Sequence, residues 1–209
     1  MCLPSTRAAR LRLDLAPSRF VVLCAGSTDG PIAARDGIDT VILACAMLHQ
    51  RHGVDAMLVV MGGERSGKRD DERGSDSGDD TGLTRLHQLA RELDMGRHIR
   101  FATRRSTALF DDCHAAADVF ASTPWQASPA AASAVTRAMA CALPVVGAAA
   151  GAVAATVRDG VTGYLVPPRD PDTLCRCLAR LQRQPLLARA MGMAGQAYAS
   201  TTLYRKTSA

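Results

Sequence analysis

The 209-residue sequence lacks any long uninterrupted apolar run. A membrane-spanning helix needs about 20 consecutive apolar residues, whereas apolar stretches such as 54–61 and 138–150 stop short or contain glycine and proline. The N-terminus carries Pro4, Arg7 and Arg10 without a continuous apolar core, so it does not have the pattern of a secretory signal. These absences predict a cytoplasmic protein without a transmembrane segment.

Lysine is also scarce, because Lys68 and Lys206 are the only two and arginine supplies the other positive charges. The arginines are spread along the chain without interleaved aromatics, which is not the pattern of a nucleic-acid-binding surface. The seven cysteines lie mostly in apolar segments, as reduced core cysteines do, and show no zinc-ligand spacing. The sequence therefore predicts no nucleic-acid partner, no metal and no cofactor, and its net charge of +5 favours a small anionic ligand.

The chain does contain a regular alternation of short apolar runs with helix-length amphipathic segments, which is typical of βαβ units. The predicted strands are 20–25, 56–61, 99–102, 119–122, 144–146 and 163–166. The predicted helices are 38–51, 83–93, 106–116, 130–141, 172–183 and 185–198. We expect an α/β fold, a Rossmann-like doubly wound parallel sheet of about six strands with helices on both faces.

One segment, 64–80, interrupts this pattern because it contains no apolar residue. Such a segment cannot bury surface to offset its ordering entropy, so we predict a flexible polar insertion. The overlapping stretch 62–68 satisfies the first part of a phosphate-binding P-loop, G-x-x-x-x-G-K. Arg69 stands where the motif requires serine or threonine, and no helix follows to hold phosphate. The sequence thus argues against a nucleoside triphosphatase.

Six stretches, in order along the chain, resemble a known family. They are 36–42, 54–64, 99–106, 116–125, 156–170 and the segment Ala138-Met-Ala-Cys-Ala-Leu-Pro-Val-Val-Gly147. The sequence resembles the family 4 (group 1) glycosyltransferases of the GT-B fold, especially the bacterial sucrose-phosphate-synthase-like members. The resemblance implies the C-terminal, donor-binding half of a retaining glycosyltransferase, without the N-terminal domain that holds the acceptor.

The resemblance also implies how the chain is divided. Residues 1–16 look like the remnant of a linker, 17–199 like the nucleotide-sugar-binding domain with its insertion, and 200–209 like a tail. The ligand implied is a nucleotide-diphosphate sugar, most plausibly linked to uridine or guanosine. The acceptor half would then be supplied by a separate chain.

In the family, two cations bind the diphosphate of the donor, one just after the first strand and one just before the next helix. Gly26 ends the first predicted strand here, and the arginine position falls on Ser27, or on Pro31 when counted from the other end of the loop. Asp36 occupies the lysine position. Both cations are therefore missing, and Arg35 is the charge placed to substitute for them.

The second family signature is a pair of glutamates separated by seven residues, of which the first contacts the sugar and the second accepts the ribose hydroxyls. No acidic residue occurs between Trp125 and Ala138. Arg137 stands at the ribose position, and Pro129, or Ala127 by the other count, at the sugar position. Losing several charged contacts, each worth about 1.5–3 kcal/mol, predicts a much weakened donor affinity.

Other parts of the family's donor site are retained. Arg104 matches a position near the base, and Gly147 and Gly151 match the tight turns after the fifth strand. No side chain is identified as catalytic, because the family uses the β-phosphate of its own donor rather than a protein nucleophile. Two functions stay open: a donor-binding half that is weak or inactive alone, or a catalytically dead interaction module or gene fragment, which the missing cations and carboxylates favour for the isolated chain.

Overall fold

A computed structural model describes residues 4–26, 36–62, 81–102, 106–126 and 128–207. The predicted insertion at 64–80 lies outside them. In chain order, the described elements are α1 (Thr6–Arg12), β1 (Phe20–Gly26), α2 (Ile38–His52), β2 (Ala56–Gly62), α3 (Thr81–Glu92), β3 (Ile99–Ala102), α4 (Thr107–Ala116), β4 (Val119–Ser122), α5 (Pro129–Ala140), β5 (Val145–Ala148), α6 (Gly151–Thr156), β6 (Gly163–Val166), α7 (Pro171–Arg183) and α8 (Pro185–Thr207).

The six described strands form one parallel sheet in the order β3-β2-β1-β4-β5-β6. This confirms the predicted fold class. The strand order reverses between β1 and β4, and in such sheets a crevice opens at this point, outside the carboxyl ends of the strands. The fifth strand differs in its bounds from the predicted 144–146, because Pro144 has no N–H for the ladder and pairing continues through Ala148.

Both faces of the sheet are covered, which explains why its strands are almost wholly apolar. All seven residues of β2 are buried. One core cluster lies under α2, α3 and α7, and the other under α1, α4, α5 and α6. Helix α8 belongs to both, since Met191 packs in the first cluster and Ala199 in the second. It continues to Thr207, into the segment for which the sequence predicts a tail.

The helix ends follow local capping rules. Ser128 caps α5 by accepting a hydrogen bond from the Ala131 amide at 3.1 Å, and Asp170 caps α7 by accepting one from the Thr173 amide at 2.9 Å. Proline occupies the first turn of both helices. The short helix α6 is absent from the predicted set, because a six-residue run beginning with Gly151 has too little periodicity to be recognised.

The N-terminal segment, for which the sequence predicts a linker remnant, forms α1 and packs on the domain. Arg10 is 7% exposed, and its Nε donates to the carbonyl of Ala116 at 3.0 Å. Its Nη2 donates to Oδ2 of Asp118 at 2.7 Å, and the same oxygen accepts the Val21 amide at 2.7 Å. A buried ion pair therefore joins α1 to the amino ends of β1 and β4.

Among the described helices, none combines the length and the apolar character that crossing a membrane requires.

Candidate functional site

The crevice between β1 and β4 is bordered by a close backbone contact. Gly37, the N-cap of α2, has φ +71°, and a Cβ there would lie 2.0 Å from the carbonyl oxygen of Thr123. The Oγ1 of Thr123 in turn donates to the carbonyl of Gly37 at 3.0 Å. The start of α2 is thus held on the end of β4, and position 37 has no room for a side chain.

The end of β1 is covered by an acidic side chain. A Cβ at Gly26 would lie 2.9 Å from Cβ and 3.0 Å from Oδ2 of Asp36, so this carboxylate sits directly over the strand end. Burial raises the pKa of the Cys24 thiol to about 12, and the charge of Asp36 contributes to the increase. Asp39 adds a second carboxylate in the first turn of α2, where its Oδ1 accepts the Thr40 amide at 2.8 Å.

These carboxylates change the electrostatics of the crevice. A helix N-terminus attracts anions through its dipole, and acidic residues in the first turn offset that attraction. The described part of the β1–α2 connection, beginning at Asp36, carries two carboxylates and no cation before Thr40.

Helix α5 carries the two positions at which the family has glutamates. Pro129 is exposed at its first residue and has no side-chain hydrogen-bonding group. Arg137 is exposed eight residues further on, about 12 Å along the axis. Its guanidinium carbon lies 5.9 Å from the ring centroid of Phe110 on α4. The structure therefore directs Arg137 into the groove between α4 and α5 and does not bring it together with Pro129.

Two glycines lie at the end of β5: Gly147 within the strand and Gly151 at the start of α6. A Cβ at Gly147 would meet Cγ1 of Val153 at 2.6 Å, so glycine here allows α6 to approach the strand. Gly151 begins α6 with φ +52°. The prediction that Gly147 lies in a turn after the fifth strand is therefore wrong, because pairing with β6 continues through Ala148, and only Gly151 lies beyond the strand.

Sequence reasoning did not identify a contact between two loops at this edge. Trp125 follows β4 and Arg169 follows β6, and the guanidinium carbon of Arg169 lies 4.0 Å from the Trp125 ring centroid. Both residues fall in stretches that resemble the family, but only the fold brings them together. Arg169 also has a left-handed backbone, with φ +59°.

Several predicted site residues lie outside the described part of the chain, and their roles stay predictions: Ser27, Pro31, Arg35, Arg104 and Ala127. Within the described ranges, no His, Cys, Asp and Glu side chains group as metal ligands would.

Beside Arg137, the α4–α5 groove contains a buried histidine. His114 is 3% exposed, and its Nδ1–H donates to the Phe110 carbonyl at 2.7 Å. Burial lowers the pKa of His114, and the charge of Arg137 lowers it further, against the raising effects of the Phe110 carbonyl and Asp111. Oδ1 of Asp111 is also buried and has no hydrogen-bond partner among the described residues.

This histidine makes stability depend on pH. As the pH falls below about 6.5, the unfolded chain binds a proton at His114 that the folded chain does not, so the free energy of unfolding decreases until the lower folded pKa is reached. We expect this decrease in urea titrations between pH 7.5 and 5.5. A His114→Asn variant, which retains a donor for the Phe110 carbonyl, should show a flatter profile, and parallel profiles would contradict the prediction.

Comparisons with known proteins identify a family and a shared fold. A sequence profile of the family described as Glycosyl transferases group 1 matches residues 28–198. A D-inositol 3-phosphate glycosyltransferase of Salinispora tropica is 35% identical over 190 residues, which are 87% of this chain and 36% of that protein. The chain therefore spans little more than a third of that relative.

Two solved structures share the fold. The sucrose-phosphate synthase of Thermosynechococcus elongatus superposes with a TM-score of 0.73 at 24% identity, covering 99% of this chain and 51% of that one. The Anabaena protein HepE, crystallised with UDP-glucose, superposes with a TM-score of 0.75 at 22% identity, covering 94% of this chain and 48% of that one. In each case the similarity covers about half of the solved chain.

Proposed function

Since the chain belongs to the group 1 glycosyltransferases, we propose that it is the donor-binding half of a retaining glycosyltransferase and binds a nucleotide-diphosphate sugar. The observation that carries the proposal is the reversal of strand order between β1 and β4, the point at which sheets of this kind bind ligands, and Gly26 and Gly37 contribute no side chains of their own there. A structure of the same fold, that of HepE, holds UDP-glucose.

The charges around this site indicate that the donor binds weakly. Asp36, over the end of β1, would oppose the phosphates of a donor, and by the family resemblance Arg137 occupies the position of the carboxylate that accepts the ribose hydroxyls. A lost charged hydrogen bond costs about 1.5–3 kcal/mol, or roughly 10- to 100-fold in affinity. We therefore infer that the isolated chain binds its donor in the millimolar range.

We further propose that transfer requires an acceptor-binding half in addition to this donor-binding half. The nucleotide leaving group would carry the developing negative charge on its β-phosphate, and cations around the crevice would stabilise it. No protein nucleophile takes part in this proposal.

The test is calorimetric titration of the purified chain with UDP, UDP-glucose and a guanosine diphosphate sugar. We expect weak binding of at least one of them, and an Arg137→Glu variant should bind about tenfold more tightly because it offers the ribose a carboxylate. Arg91→Glu is the matched control, since Arg91 is exposed in the last turn of α3 and the charge change is identical. An equal change in affinity in both variants would contradict a specific role of position 137 at the ribose.

The alternative is a catalytically dead interaction module, which the carboxylates at Asp36 and Asp39 favour. Absence of heat with every donor, for both the wild type and Arg137→Glu at millimolar ligand, would reject donor binding and leave this alternative.

A further inference from the structure

Four arginines lie over aromatic rings in the described residues, and one of these pairs joins two loops at the carboxyl edge of the sheet. Arg158 lies over Tyr198, Arg180 over Tyr164, Arg137 over Phe110 and Arg169 over Trp125, at 4.4, 5.3, 5.9 and 4.0 Å from the ring centroids. The Arg169–Trp125 pair has the shortest of these distances.

The position of this pair follows from the strand order. Trp125 follows β4, Arg169 follows β6, and β5 lies between those two strands. The pair therefore spans the carboxyl end of β5. Because β4 is also one of the two strands that border the crevice, the pair lies on the side of the crevice opposite β1.

The backbone at Arg169 is held in an unfavourable conformation. A left-handed residue other than glycine costs about 1–2 kcal/mol, and such residues persist where the surrounding structure imposes them, often at ligand-binding positions. Asp170, the next residue, caps α7 by accepting hydrogen bonds from the amide and the hydroxyl of Thr173. Its carboxylate is thus engaged within its own helix.

The guanidinium of Arg169 is available for a ligand. Arg169 is exposed, and within the described ranges no carboxylate forms an ion pair with it. Contact with the ring face orients the guanidinium and leaves N–H groups at its edge, which can bind a phosphate through two parallel hydrogen bonds.

We propose that Arg169, oriented by Trp125, binds the diphosphate of the donor in place of the two loop cations that the sequence lacks. This assignment rests on the proposed donor binding. It explains how a site with Asp36 over the end of β1 can accept an anion, because the positive charge comes from the loop after β6.

The test compares UDP with uridine, which has the same base and ribose but no phosphate. Binding is followed by chemical-shift titration at low ionic strength, because that method reports millimolar affinities. Arg169→Ala should weaken UDP binding by about 10- to 100-fold and leave uridine binding unchanged. Added salt should weaken UDP binding of the wild type more than that of the variant.

Arg158→Ala is the matched control, since Arg158 also lies over an aromatic ring but follows α6, away from the crevice. It should change neither affinity. Arg169→Gly is the folding control, because glycine relieves the left-handed backbone: its melting temperature should equal or exceed that of the wild type while UDP affinity falls.

The outcomes separate the two proposals. If the wild type binds UDP and Arg169→Ala binds it equally well, the assignment of Arg169 is wrong and donor binding stands. If the wild type binds neither UDP nor UDP-glucose, donor binding is wrong, and the assignment falls with it.

Discussion

Replacing Arg10 by methionine is expected to lower the free energy of unfolding by about 2–4 kcal/mol. Methionine fills most of the space but donates no hydrogen bond, so the carbonyls of Ala116 and Pro17 lose their donor and the Asp118 carboxylate loses its cation. Burial already raises the pKa of Asp118. Urea denaturation at pH 7 measures the effect, which should shrink toward pH 4, because a protonated Asp118 no longer needs a cation.

The matched control is Arg12→Met on the same helix. Arg12 pairs with Asp112, and this hydrogen-bonded pair lowers the pKa of the carboxyl, but half of the Arg12 side chain is exposed. We expect this variant to lose less stability than Arg10→Met, because within the described residues Arg12 donates only to the Asp112 carboxylate, whereas Arg10 also donates to two backbone carbonyls. Equal losses for the two variants would show that burial does not distinguish the pairs.

Gly37→Ala is expected to lower the free energy of unfolding by about 3 kcal/mol or more and to disrupt the crevice. The added Cβ would enter both a left-handed backbone and the Thr123 carbonyl, 2.0 Å away, so the start of α2 must move off the end of β4. Denaturation measures the stability, and titration with UDP measures the effect on the crevice.

Gly53→Ala separates the effect of the left-handed backbone from the effect of the close contact with Thr123. Gly53 has a similar left-handed backbone, φ +62°, but a Cβ there would have nothing within 4 Å. Its cost should be only about 1 kcal/mol, with UDP binding unchanged. If both variants lose the same stability, the close contact with Thr123 contributes nothing.

Much of the fold could be predicted because its strands are buried on both faces. A run such as Ala56–Gly62 is apolar throughout, and periodicity places amphipathic helices between such runs. The burial of Arg10 was not predictable, since an arginine in a short helix is usually solvated and its partner Asp118 is 108 residues away.

In the candidate site, the sequence predicts the positions of the glycines but not the contacts of the side chains. The resemblance to the family identifies the glycines at 26, 147 and 151. The contact of Arg169 with Trp125 depends on the order of β4, β5 and β6 in the sheet, which spacing along the chain does not encode. The orientation of Arg137 toward α4 likewise requires the packing of two helices.

The last helix has a consequence for how the domain comes apart. Helix α8 contributes Met191 to the core on one face of the sheet and Ala199 to the core on the other. Neither helical layer can therefore separate from the sheet without exposing apolar surface of α8. The helix therefore couples the two layers: loss of one layer destabilises the other, and we expect both layers to unfold together.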